Sequence, residues 1–176
     1  MDNIILIGFM GVGKSTIGSE LAKKLSYIFI DSDQKIEEAA GMSIPDIFRI
    51  YGEKYFRRLE YKIIKDLVDM PRIVLATGGG AVMNRQLFDI LMSKGTVINL
   101  EASLSTLYDR LKKSDNRPML DHNDRKKRIE DLYRLRRPVY MKAHYTIDID
   151  GKEVKDIVDE IVEVMFGREE ENIVLK

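Results

Sequence analysis

The feature that most constrains this chain is a glycine-rich loop near its start, set between a predicted strand and a predicted helix. Residues Gly8–Ser15 match the pattern G-x-x-x-x-G-K-[ST] at every fixed position. The apolar run Asn3–Gly8 leads into the loop, and Ile17, Leu21 and Leu25 form the apolar stripe of a helix that leads out. Such a loop turns backbone N–H groups and the positive end of a helix towards an anion. The sequence therefore predicts a nucleoside triphosphate site.

The individual positions of the loop predict how the nucleotide is held. Lys14 is expected to bridge the β- and γ-phosphates as a point charge, and the Ser15 hydroxyl to ligate Mg²⁺. The predicted cofactors are ATP and Mg²⁺, and the predicted contacts to ATP in this segment are Gly11, Val12, Gly13, Lys14, Ser15 and Thr16.

Beyond the loop, short apolar runs alternate with amphipathic segments, which is typical of a parallel sheet covered by helices. The predicted strands are Asn3–Gly8, Tyr27–Asp31, Arg72–Thr77, Gly95–Leu100 and His144–Ile149. The predicted helices are Lys14–Leu25, Gln34–Ala40, Ser43–Tyr51, Glu53–Met70, Asn84–Met92, Ser103–Lys112, Arg125–Met141 and Val154–Phe166. The polar stretch Lys113–Asp124 is expected to be a mobile loop and Gly167–Lys176 to fray. We expect one α/β domain over residues 1–176, with a five-stranded parallel sheet flanked by helices on both faces.

Composition excludes several classes of function. The 29 basic and 29 acidic side chains cancel, so net charge favours neither a nucleic-acid nor a membrane partner. Cysteine is absent, which excludes disulfides, thiolate catalysis and zinc–thiolate sites. The apolar run from Ile4 is soon interrupted by Gly11 and Lys14, unlike a secretory signal. We expect a cytoplasmic protein, monomeric and without a membrane or nucleic-acid partner.

Two carboxylates follow the second predicted strand. In an extended segment residues i and i+2 point to the same side, so Asp31 and Asp33 are expected to face one site, beyond the carboxyl ends of the strands. One carboxylate would orient an acceptor hydroxyl and take its proton, and the other would hold water on Mg²⁺. The alternative is that one Asp caps the next helix and the other is solvated.

Glycines and arginines supply the remaining candidates. The triplet Gly78–Gly80 ends the third strand, where its N–H groups could bind a substrate oxygen or simply form a flexible turn. Glu60 lies three residues after Arg57 and can fix its guanidinium. Arg134, Arg136 and Arg137 precede Pro138. Guanidinium groups bind carboxylates in bidentate fashion, although any one of these arginines could instead form a surface salt bridge.

Together these motifs resemble the shikimate kinase family. The resemblance rests, in order, on the Gly8–Ser15 loop, Asp31-Ser32-Asp33, Phe56-Arg57-Arg58-x-Glu60, Gly78–Gly80, Arg117-Pro118 and Arg136-x-Pro138-x-Tyr140, and runs from about residue 3 to 165. It implies a P-loop kinase fold with a substrate-binding insertion at about 32–60 and a lid at about 112–124. Departures are mild: Met119 replaces the usual leucine, and His144 replaces a frequent aspartate.

The resemblance also implies residue roles. Asp33 would contact the shikimate hydroxyls and act as, or near, the base, while Arg57, Gly79 and Arg136 would hold the carboxylate and the ring hydroxyls. Asp31 would sit in the magnesium shell through water. Lys14 and the lid residue Arg117 would stabilise the transferring phosphoryl group. Arg110 would lie against adenine, beside the region 148–152. The walls of the acceptor pocket would include Ile44, Phe48 and Phe56.

Three rival functions stay open at this stage. A kinase for gluconate or a nucleoside monophosphate shares the scaffold, although Asp33, Arg57 and Arg136 suit a hydroxylated acid better. A nucleotide-dependent switch would bind ATP without transferring phosphate. An RNA-binding stripe is a third interpretation of the basic segment Arg110–Arg137, with eleven basic against five acidic residues. For His122 and His144 the sequence predicts surface or packing positions and no catalytic role.

Overall fold

Five parallel strands form a single sheet, as predicted. The computed structural model describes residues 3–112 and 125–167. The strands are β1 (Asn3–Gly8), β2 (Ile28–Asp31), β3 (Ile73–Ala76), β4 (Gly95–Glu101) and β5 (Tyr145–Asp148). They lie in the order β2-β3-β1-β4-β5, and every neighbouring pair is parallel. The central strand β1 is buried along its whole length, which explains its continuous apolar sequence.

Seven helices connect and cover the strands in the described ranges. They are α1 (Lys14–Leu25), α2 (Ser32–Ala40), α3 (Ile44–Leu67), α4 (Arg85–Lys94), α5 (Leu104–Lys112), α6 (Arg125–Tyr140) and α7 (Val154–Phe166). Within α3, Gly52 leaves the helical conformation at φ 77° and ψ 171°, so the two predicted helices on either side of it are confirmed. A 3₁₀ turn, Ala81–Met83, follows the glycine triplet and was not predicted. Ser103 caps α5 by accepting the Thr106 N–H at 3.3 Å.

The order of the strands determines where a ligand can bind. The chain leaves β1 through α1 towards β2 and returns to β3, then crosses from β3 to β4 on the far side of β1. Helices α1 and α7 contact each other on one face, and α3 contacts α4 on the other. The direction of winding changes between β1 and β3, and the crevice beyond such a point is the usual ligand site of an open α/β sheet.

A second, small cluster of buried side chains lies apart from the main core. Ile36, Ile47 and Phe56 join α2 to α3, and Phe48 stacks on Phe56 with ring centroids 4.7 Å apart. The predicted pocket walls therefore belong to a unit with its own apolar contacts. In neither of the two described ranges is a helix long and apolar enough to cross a membrane.

Several predicted features lie outside the described residues. These are the loop Lys113–Asp124, which contains Arg117, Met119 and His122, and the tail after Gly167. Their predicted roles stay predictions.

Candidate active site

The predicted phosphate loop joins β1 to α1 and requires glycine at its turns. Gly8 has φ 137°, and a Cβ there would lie 2.5 Å from the carbonyl oxygen of Leu100. Gly13 has φ 93° and caps α1 in a left-handed conformation. Any other residue at Gly8 would collide with backbone that cannot yield. The chain at Gly8 thus runs against β4 with no room for a side chain.

Lys14 bonds to its own loop. Its Nζ donates to the carbonyl oxygens of Gly8 and Phe9 at 2.8 and 2.9 Å. The ammonium group is therefore held over the loop within a cavity of about 190 Å³, which is lined by Gly11, Gly13, Lys14, Ser15, Thr16, Asp31, Asp33, Thr77 and Gly79. Of the six predicted ATP contacts from Gly11 to Thr16, five line this cavity, and Val12 is 1% exposed and turned into the core.

Asp31 lies opposite the loop and accepts three hydrogen bonds. Its Oδ2 accepts the Ser15 hydroxyl at 2.5 Å, and its Oδ1 accepts the backbone N–H groups of Asp33 and Gln34 at the start of α2. The capping alternative is therefore correct for Asp31, but it does not exclude a site role. One carboxylate oxygen caps the helix and the other reaches the phosphate loop.

The prediction that Asp31 and Asp33 face one site was correct in that both line the cavity. Its reason, an extended chain between them, was wrong. The chain is not extended here, because α2 begins at Ser32. Asp33 enters the site from the first turn of that helix, and a Cβ on Gly78 would lie 2.6 Å from its Oδ1. Glycine at 78 thus leaves room for the carboxylate of Asp33.

Ser32 is a site residue that was not selected from the sequence. It is fully buried, and its hydroxyl accepts the N–H of Gly78 at 3.1 Å. This bond ties the start of α2 to the end of β3 and so sets the distance between Asp33 and the glycine triplet. A serine between two aspartates carries no signal that distinguishes this role from a solvated turn.

Arg57 and Glu60 form the predicted pair. Nη1 of Arg57 donates to Oε2 of Glu60 at 2.7 Å, and the Glu60 side chain is 2% exposed. Burial raises the pKa of the Glu60 carboxyl above its ordinary value, and the charge and hydrogen bond of Arg57 hold part of that rise back. The guanidinium lies against Gly80, where a Cβ would be 2.8 Å from Nη2.

Three arginines near Pro138 have three different environments. Arg136 is 7% exposed, and its Nη1 would lie 3.7 Å from a Cβ on Gly79. Arg134 pairs with Glu130 in the same helix at 2.5 Å, and Arg137 pairs with Glu101 at 2.6 Å. Only Arg136 of this cluster is thus placed beside the glycine triplet.

Tyr140 holds the glycine triplet through a hydrogen bond to its backbone. Its hydroxyl donates to the carbonyl of Gly79, and its ring is 1% exposed. Burial raises the pKa of Tyr140 to about 12, so the hydroxyl stays a donor. The sequence offered this residue only as part of the Arg136-x-Pro138-x-Tyr140 motif, without a role.

On the nucleotide side, Arg110 contacts the loop itself. Its Nη1 donates to the Val12 carbonyl at 3.0 Å, while Asp150, in the region predicted to surround adenine, accepts the Ser103 N–H at 3.0 Å. Although burial opposes it, hydrogen bonds from Ser103 and Thr106 lower the pKa of Asp150, and the charge of Arg110 adds to this. The two segments expected to hold adenine are therefore adjacent, and the contact with adenine stays a prediction.

His144 lies exposed just before β5, in agreement with the surface or packing position predicted for it. Its Nδ1 accepts the backbone N–H of Val97 at 2.9 Å. No group of three or more Asp, Glu or His side chains that could hold a metal occurs within residues 3–112 and 125–167. Mg²⁺ often takes one or two protein ligands and completes its shell with phosphate and water. The 2.5 Å contact between Ser15 and Asp31 fits that limited donor set.

Comparison with known proteins decides the family. A family model described as shikimate kinase matches residues 10–166. The chain belongs to the shikimate kinase family. A shikimate kinase of Thermus thermophilus is 44% identical over 168 residues, covering 95% of this chain and 91% of that protein. One from Legionella pneumophila is 45% identical over 166 residues, covering 94% and 95% of the two chains.

Solved structures of the shikimate kinase family match most of the chain. The enzyme from Acinetobacter baumannii in complex with shikimate matches with a TM-score of 0.92 at 35% identity, covering 96% of this chain and 94% of that one. The enzyme from Aquifex aeolicus gives 0.84 at 36% identity, covering 94% and 97%. A gluconokinase from Sinorhizobium meliloti gives 0.59 at 18% identity, which is a likeness of fold alone.

Proposed function

We propose that this member of the shikimate kinase family transfers the γ-phosphoryl group of ATP to the 3-hydroxyl of shikimate, giving shikimate 3-phosphate and ADP. One observation carries the proposal. Asp33, Arg57 and Arg136 converge on the triplet Gly78–Gly80, and Asp33 and Gly79 line the same cavity as the phosphate loop. A hydroxyl-orienting carboxylate and two carboxylate-binding guanidinium groups thus lie beside the predicted donor site.

The acceptor would be held at two points. Arg57 and Arg136 bind its carboxylate and ring hydroxyls, with Gly79 supplying backbone contact. Arg57 is pre-positioned by Glu60, so the guanidinium loses little freedom when it binds. Asp33 orients the 3-hydroxyl towards the γ-phosphorus and accepts its proton as the new O–P bond forms and the bond to the ADP oxygen breaks.

The donor would be held by the phosphate loop. Lys14 leaves the carbonyl oxygens of Gly8 and Phe9 to bind the β- and γ-phosphates. Ser15 and, through water, Asp31 would hold Mg²⁺, which would supply positive charge to neutralise the phosphates. Arg110 lies against adenine, and Arg117 closes over the phosphates from the lid to exclude water as a competing acceptor. We further propose a cytoplasmic monomer that binds neither membrane nor nucleic acid.

A coupled ADP-release assay tests the proposal. With ATP·Mg²⁺, turnover is expected with shikimate and not with gluconate or a nucleoside monophosphate. Absence of shikimate-dependent ADP release would remove the substrate assignment. Asp33→Asn is expected to bind ATP with unchanged affinity and to lose about 10²–10⁴-fold in kcat. Asp46→Asn is the matched control, since Asp46 lies on the exposed start of α3 and pairs with Arg49. Full activity in Asp33→Asn would exclude Asp33 as the base.

A further inference from the structure

Helix α6 carries Arg136 and Tyr140 into the site on a turn with a weakened backbone. Pro138 lies inside the helix and has no N–H to donate to the carbonyl of Arg134. The helical turn that contains Arg136 therefore lacks one of the bonds that normally fix its shape. Its position must depend on side-chain contacts more than that of an unbroken helix.

Glu101, at the end of β4, makes side-chain contacts of this kind with α6. Its Oε1 accepts the Tyr133 hydroxyl and Nε of Arg137, each at 2.6 Å, and its Oε2 accepts Nδ2 of Asn99 at 3.3 Å. The Glu101 side chain is 16% exposed and Asn99 is fully buried. One carboxylate of the sheet thus holds two side chains of α6, spaced four residues apart on one side of the helix.

Tyr133 connects the same network to the phosphate loop. Its ring meets the buried ring of Phe9 edge-on, with centroids 5.5 Å apart and planes at 86°. The carbonyl oxygen of Phe9 in turn accepts a hydrogen bond from Nζ of Lys14. Burial and the hydrogen bond to Glu101 raise the pKa of Tyr133 to about 12, so its hydroxyl is a donor throughout the range in which a kinase is assayed.

On these grounds we propose that Glu101 is a positioning residue, which acts through Tyr133 and Arg137 to set helix α6 so that Arg136 reaches the acceptor's carboxylate. The inference rests on the proposed function, because it takes Arg136 to be an acceptor-binding group. Glu101 itself does not bind substrate in this scheme. It fixes the side of α6 that faces β4, while Arg136 and Tyr140 project to the glycine triplet.

The test compares two arginines of one helix. Arg137→Gln breaks the bond to Glu101. Arg134→Gln is the control, because it removes the same charge from a side chain that is 72% exposed. Within residues 3–112 and 125–167, Arg134 forms an ion pair only with Glu130. Arg137→Gln and Glu101→Gln are each expected to raise the KM for shikimate about 10-fold, the lower end of the effects of residues that orient metal ligands. In both variants an oxygen at position 101 still accepts the Tyr133 hydroxyl, so the KM for ATP and the Tm should stay close to those of the wild type.

A double variant and a crystal structure complete the test. Because both changes break the bond between Glu101 and Arg137, the Glu101→Gln/Arg137→Gln protein should be no worse than the weaker of the two single variants. Crystal structures without substrate should show the Arg136 guanidinium displaced by about 1 Å in Arg137→Gln and unmoved in Arg134→Gln, a displacement large enough to matter for binding.

Three results would overturn the proposal: equal behaviour of Arg137→Gln and Arg134→Gln, a parallel rise of both KM values with a falling Tm, or an unmoved Arg136. If the wild type fails to phosphorylate shikimate, the proposed function is wrong, and the crystallographic comparison still decides whether Glu101 positions Arg136.

Discussion

Gly80 offers a sharp test of the acceptor site, because replacing it with alanine moves one guanidinium without straining the backbone. Gly80 has φ −103° and ψ −9°, a conformation open to alanine. The added Cβ would lie 2.8 Å from Nη2 and 2.9 Å from Nη1 of Arg57. An ordinary contact begins near 3.4 Å, so the guanidinium must retreat by about 0.6 Å. Since Arg57 is a flexible side chain, the fold can absorb this shift.

The expected change in the KM for shikimate follows from the hydrogen bond that the shift of Arg57 breaks. Arg57 holds Glu60 at 2.7 Å, and the proposed bond to the acceptor carboxylate must have similar geometry. A charge-assisted hydrogen bond contributes about 1.5–3 kcal/mol, and each 1.4 kcal/mol changes affinity about tenfold. Loss of one such bond therefore predicts that Gly80→Ala raises the KM for shikimate between about 10- and 100-fold, with little change in the KM for ATP.

The assay is ADP release at saturating ATP·Mg²⁺ with shikimate varied, together with a thermal unfolding curve for each variant. Gly41→Ala is the matched control, because a Cβ there meets nothing within 4 Å, whereas its φ of 64° disfavours alanine. It should lose about 1–2 kcal/mol of stability and leave the KM for shikimate unchanged. An unchanged KM in Gly80→Ala would refute the placement of Arg57 in the acceptor site.

Two further predictions concern the phosphate loop and Tyr140. Lys14→Met should lower kcat at least about 100-fold, since it removes a preorganised positive charge from the transferring group; a kcat above a tenth of the wild-type value would contradict the assignment. Tyr140→Phe should cost about 1 kcal/mol near neutral pH by leaving the Gly79 carbonyl without this donor. The folded-state pKa of Tyr140 is about 12, above its ordinary value of 10, so the wild type should keep this advantage below pH 10 and lose it as the pH rises towards 12. Urea unfolding of both proteins across that range measures the difference, and a constant difference would show that Tyr140 does not titrate as described.

The sequence by itself determined the features that depend on short separations along the chain. The phosphate loop is eight consecutive residues, Gly8–Ser15, between a strand and a helix of recognisable periodicity. The pair of Arg57 and Glu60 follows from helical spacing, because residues three apart are neighbours on a helix. The five strands were likewise predictable from short runs rich in apolar and β-branched residues, and this signal is strongest in the three central strands β3, β1 and β4, which are buried.

Only the tertiary structure decided how these pieces meet. The contacts of Ser32 with Gly78, Tyr140 with Gly79, and Arg110 with Val12 join residues 46 to 98 positions apart. They exist because β3 lies next to β2, because α6 packs beside the 3₁₀ turn that follows β3, and because β4, which leads into α5, lies next to β1. Local patterns of apolar residues do not encode strand order or the register of a helix on a sheet. The glycine-rich loop near the start of the chain thus indicated a phosphate site, and the order of the strands brings the proposed acceptor site beside it.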